Sequence, residues 1–105
     1  MKVNINKFMF DIIEEDDGEH VWLKEDENGM TQAGVCYFFK EKIYIHKNLS
    51  YKMKKHILAH ELTHAFLFAH GLYDENINDE IICEFVANYH ERITEIVKFY
   101  FKKGE

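Results

Sequence analysis

The stretch AHELTHAFLFAHG, Ala59 to Gly71, places two histidines and a glutamate inside an otherwise apolar run. A helix turns by about 100° per residue, so His60 and His64 fall on one face, a turn apart, with Glu61 beside them. That is the arrangement of a metal-binding helix. The helical pattern reaches back to Ser50, a suitable N-cap, and forward to Gly71, suited to the left-handed position that ends a helix. Ile57, Leu58, Leu62, Ala65, Phe66 and Ala69 form its apolar side.

Downstream, a second helix is expected from about Asp79, with an apolar stripe running from Ile81 and Ile82 through Phe85, Tyr89 and Ile93 to Tyr100 and Phe101. Upstream the period shortens. His20 to Lys24, Ala33 to Phe39 and Lys42 to His46 are rich in aromatic and β-branched residues, and EDENG at 25–29 and Lys40-Glu41 separate them as turns. They read as an antiparallel meander. The first segment is ambiguous, since Val3 and Ile5 alternate like a strand while Asn6 suits the cap of a helix through Phe10 and Ile13; a short strand followed by a helix is the reading adopted. The expected fold is therefore α+β: a small antiparallel sheet of about three strands, two C-terminal helices and a short N-terminal helix.

With 105 residues, 47% hydrophobic and 15% aromatic, the chain suits one domain spanning 1–105. A net charge of −6 argues against a surface made to neutralise nucleic-acid phosphates or acidic lipid. No apolar run approaches the length of a membrane span, and MKVNINKFMFDIIEEDD lacks a signal-peptide pattern. Cys36 and Cys83 each stand among apolar neighbours, which favours reduced, buried thiols and a cytoplasmic location. The absence of proline and the wealth of Lys, Asn and Ile hint at an AT-rich genome, as in a low-GC bacterium or its phage.

An H-E-x-x-H pattern arises by chance in roughly one shuffled sequence of this composition in twenty, so its surroundings decide its weight. The motif sits in a capped helix and is flanked by Ile57, Leu58, Leu62, Phe66 and Leu67. Burying a glutamate and two histidines without partners costs several kcal/mol, which a bound cation relieves. The bland alternative is a pair of half-exposed histidines with Glu61 joined to a lysine; His56 and His70 are bystanders in either case. Two histidines underfill a catalytic zinc site, which takes three protein ligands and a water. Glu84, in EIICEFVANYHE, is the best third candidate, ahead of Glu80, His90 and Cys83, and Asn88 could hydrogen-bond a metal-bound histidine. Glu80, Glu84, Asn88, Glu91 and Glu95 also read as the solvated stripe of an ordinary amphipathic helix.

HELTHAFL, followed after about twenty residues by CEFVANY, resembles the gluzincin-type zinc metallopeptidases, and most closely the ImmA/IrrE-like family of bacteria, phages and mobile elements. That family's second helix carries a pattern like E-x-x-A-N-x-F/Y-A; Glu84, Ala87, Asn88 and Tyr89 match it, and His90 replaces the usual small residue. The likeness covers roughly residues 42 to 95. It implies a minimal zincin-like core with His60, His64 and Glu84 as zinc ligands, and a strand before the helix able to hold an extended peptide. Family members often carry a DNA-binding helix-turn-helix and cleave or inactivate repressors, so a regulatory protein is one substrate the resemblance implies.

The expected chemistry is hydrolysis of a peptide or protein substrate by a zinc-activated water, with Glu61 as general base; manganese or iron would also suit the ligands. Tyr89, His90, Tyr73 and Tyr44 are candidate donors to the oxyanion, and Lys42 to His46 is the expected exposed edge for substrate pairing. The competing expectation is a non-catalytic, metal-stabilised binding or adaptor protein that uses the same core as a scaffold.

Overall fold

Both N-terminal runs bury alternate side chains, and both are strands. In the computed structural model, which describes residues 1–16, 33–72 and 78–102, β1 (Lys2–Ile5) buries Val3 and Ile5 while β2 (Phe8–Glu15) buries Phe10 and Ile12. The helix expected through Phe10 and Ile13 is replaced by β2, because a period of two in aromatic and β-branched residues outweighs a lone capping asparagine. β1 and β2 pair antiparallel with Ile5 opposite Phe8. Asn6 opens the turn between them at φ 58, a left-handed conformation that asparagine tolerates. Its side-chain amide donates to the Ala69 carbonyl at 2.9 Å, tying the hairpin to a later helix.

β3 (Gly34–Tyr37) and β4 (Lys42–His46) form a second antiparallel pair, joined through a turn in which Glu41 adopts φ 53. β4 also pairs with β2, in parallel, with Ile12 beside Ile43. The sheet is thus four-stranded and mixed, in the order β1-β2-β4-β3, rather than an antiparallel meander. The expected strand His20 to Lys24 and the EDENG turn lie outside the described residues. Between β2 and β3, β4 is buried from Ile43 to His46, so it is not the exposed edge expected of Lys42 to His46; β3 flanks it on that side.

Two helices pack on this sheet. α1 (Tyr51–Ala69) starts where the Ser50 hydroxyl accepts from the Met53 N–H at 3.2 Å. It ends in a Schellman motif: Gly71, at φ 72, donates to Phe68, and Leu72 donates to Leu67 at 2.8 Å. Both boundaries agree with the sequence. Leu58, Leu62, Ala65 and Phe66 are fully or almost fully buried against Phe10, Ile12, Ile43 and Ile45. α2 (Asp79–Lys102) closes the core with Phe85, Ile93 and Ile96, the three residues it buries.

Glu14 fastens these layers together. It accepts from the Tyr100 hydroxyl of α2 at 2.6 Å and pairs with Lys54 of α1 at 2.7 Å. Burial pushes its carboxyl up, but the hydrogen bonds from Lys54 and Tyr100, with the Lys54 charge, outweigh this and hold it below the usual range. The Tyr100 hydroxyl is driven up by its own burial and by Glu14. Both cysteines are free; Cys36 is half-buried, whereas Cys83 is exposed rather than buried as its neighbours implied. Among the described residues no helix is long and apolar enough to cross a membrane.

Candidate metal centre

Residues 60, 61 and 64 lie on the side of α1 that faces β3, and the approach of strand to helix there is close. A Cβ on Gly34 would stand 2.6 Å from Ile57 Cγ2, 3.1 Å from the Tyr44 carbonyl oxygen and 3.3 Å from Glu61 Cγ. Only glycine lets β3 lie this near Glu61. Gly34, Val35, Cys36 and Phe38 therefore form one wall of a cleft of about 290 Å³ whose other wall is His60, Glu61 and His64.

Within the cleft the two imidazoles converge. Their Nε2 atoms are 3.2 Å apart, and one ligand atom from each of His60, Glu61 and His64 lies within 4.8 Å of the others. Two nitrogens bound tetrahedrally at the usual zinc distance of about 2.0–2.1 Å stand roughly 3.3 Å apart, so the pair already has the span of a chelate. Glu61 is 7% exposed. Burial lifts its carboxyl from 4.5 to about 7, and burial followed by the His60 charge lowers His64 below its ordinary value. Burial, with the negative charge of Glu61 behind it, pushes the Cys36 thiol up to about 12 and keeps it protonated. A buried carboxyl held back from ionising beside two converging imidazole nitrogens is the condition a divalent cation relieves, and on this ground the residues fit one.

The cluster does not include Glu84. Glu84 and Asn88 are exposed on α2. The reason is rotational: α2 packs through Phe85, Ile93 and Ile96, and lines the α1–α2 groove with Ile82 and Val86. Glu84 is two residues from each of the last two, more than half a turn round the helix from both. Glu80 and Glu91 are exposed on the same stripe.

The other candidates are placed elsewhere. The Tyr89 hydroxyl is 3.2 Å from His70 Nδ1, and the two rings stack at 4.3 Å, so Tyr89 of α2 packs against the C-terminal end of α1. His90 lines the α1–α2 groove. Tyr44 is buried with its ring edge-on to Tyr37, and His46 Nδ1 accepts from the Asn48 N–H at 3.1 Å. Tyr73 lies outside the described residues. Gly34, Cys36 and Phe38 line the cleft although none of them is a candidate from the motif. The available signal was Gly34 itself, an isolated glycine opening a β-branched and aromatic strand, which marks close backbone approach.

No protein-family model, no curated protein and no solved structure matches this chain. Any function assigned to the cleft rests on its own residues.

Proposed function

We propose that this protein is a zinc-dependent peptidase of the H-E-x-x-H type whose centre is built on His60, Glu61 and His64. The observation that carries the reading is the convergence of the two Nε2 atoms at 3.2 Å beside a buried Glu61. His60 and His64 would hold the metal. Bound there, a divalent ion supplies positive charge that acidifies a water and polarises a carbonyl. Glu61, close enough to ligate but needed as a base, takes a proton from water in the cleft and returns it to the leaving amine. The α1 helix holds these groups in register, and the close packing at Gly34 keeps bulk water from the inner side of Glu61. A peptide would lie along β3, the strand that flanks the cleft. Glu84, which stands outside the cluster, is proposed as the third protein ligand only because Glu84, Ala87, Asn88 and Tyr89 resemble the E-x-x-A-N-x-F/Y-A pattern.

One observation favours a second reading, a metal-stabilised binding or adaptor protein on the same core. Glu84 and Asn88 stand outside the cluster, which leaves two histidines and Glu61 as its ionisable ligands among the described residues. The two readings part at Glu61. Purified protein should take up about one equivalent of zinc and melt at a higher temperature with it. Wild type should then cleave members of a denatured proteome, and Glu61→Gln, at equal zinc loading, should lose roughly 10²- to 10⁴-fold of that activity. Zinc uptake with identical proteomes after either protein would exclude the peptidase and leave the adaptor. Absence of zinc uptake removes both readings.

A further inference from the structure

Away from the metal centre, the first half of α1 and the last half of α2 line a second cleft, of about 490 Å³. Its floor is Ala59, Ile93 and Val97. Ala59 contributes to its depth, because a small side chain at this point leaves volume that a leucine would occupy. Above the floor stand Lys55, Lys98 and Lys102. Among the described residues no carboxylate lines the cleft, although acids outnumber bases 19 to 13 in the chain. The lysine ion pairs among the described residues involve Lys47 and Lys54, not these three. Lys55 is instead poised over the Tyr51 ring at 5.0 Å, and Tyr51 is propped edge-on against Phe101 at 5.2 Å.

The ordinary reading of each lysine is a solvated side chain, and Lys102 has the added role of facing the C-terminal end of the α2 dipole. That reading does not explain why the three cations surround an apolar cavity. Like charges gathered on one rim repel one another, and on an acidic molecule such a group marks a place where an anion is received. The volume lies within the range of small-molecule sites, and an apolar floor with a few convergent charges is their usual construction. Lysine ammonium groups are point charges without the planar fork of arginine, so they accept a carboxylate or phosphate head without demanding one orientation.

We infer that the α1–α2 cleft binds an amphipathic organic anion, its apolar body on Ala59, Ile93 and Val97 and its carboxylate or phosphate head among Lys55, Lys98 and Lys102. Tyr51 forms the side wall against which the body packs. The site is separate from the His60–Glu61–His64 cluster and does not depend on catalysis there.

The probes are sodium dodecanoate, dodecyl phosphate, dodecanol and dodecyltrimethylammonium, each titrated into the full chain below its micelle concentration and followed by methyl NMR. The two anions should bind saturably with a dissociation constant on the order of 10 to 100 µM and shift the Ile93 and Val97 methyls. Their relative affinity identifies the preferred head group. Lys98→Glu with Lys102→Glu should weaken both anions at least tenfold, as should Ala59→Leu, which fills the floor while keeping the charges. Unchanged dispersion of the methyls of Leu58 and Ile43 shows that each variant is folded; should Ala59→Leu fail that check, the lysine pair alone decides. Binding of dodecanol or the ammonium compound as tight as that of the anions would refute the inference. So would the absence of saturable binding, or shifts centred on the α1–α2 groove at Ile82 and Val86 instead.

Discussion

Glu61 concentrates the chemistry of this protein in one side chain. Its carboxyl titrates near 7 in the folded chain against 4.5 when unfolded, because burial disfavours the anion. The folded state therefore binds more protons than the unfolded state between these values, and stability falls as pH rises through that window. The full effect is about 3 kcal/mol, from the size of the shift. Glutamine has the shape of the protonated acid and no titration. In chelator-treated protein, Glu61→Gln should match wild type below pH 4.5 and exceed it by up to about 3 kcal/mol at pH 8. Urea unfolding at a series of pH values measures this directly; a constant difference across the range would mean that Glu61 is not desolvated. Gly34 acts at the same scale. Gly34→Ala pushes a methyl group against the stiff, β-branched Ile57 and a backbone oxygen. It should cost about 1 to 3 kcal/mol in thermal or urea unfolding, as overpacking does. A neutral result would show that β3 can move away from α1.

At the scale of elements, α1 is the framework and α2 the variable. α1 is bounded by Ser50 and a Schellman motif, is buried along one side, and carries all three clustered residues. α2 buries three residues of its 24 and turns its acidic stripe to solvent. Whether that stripe contributes a ligand is decided by comparing substitutions along it. If Glu84 completes the metal site, Glu84→Ala should weaken zinc affinity by at least tenfold to a hundredfold, while Glu80→Ala and Glu91→Ala leave it within about twofold. Isothermal titration distinguishes the cases. Equal, small effects from all three keep Glu84 on the solvated face and turn attention to the residues of the cleft itself.

For the whole molecule, the contact that joins sheet, α1 and α2 is Glu14 with Lys54 and Tyr100. Its carboxyl is held below the ordinary range, so it contributes stability that is present above its unfolded pKa and lost as pH falls through the folded value. Glu14→Gln should lose about 1 to 2 kcal/mol at pH 7, allowing for partial exposure of the pair, and the gap should close below pH 4.5. A gap that does not narrow as the pH falls below 4.5 would mean that shape, not charge, matters at this position.

Sequence alone was enough for the two helices, the caps of α1, the α+β class and the meeting of His60, Glu61 and His64, because each of these depends on neighbours within about one helical turn. The parallel pairing of β2 with β4 was not legible, since no local signal records which strands of similar composition become neighbours across an intervening segment. The same limit applies to the cleft wall at Gly34, Cys36 and Phe38, brought to α1 by the order of the sheet. It applies also to Glu84, whose spacing from the motif says nothing about the rotation of α2. That rotation was decided by where Phe85, Ile93 and Ile96 could be buried, and burial is a property of the assembled core.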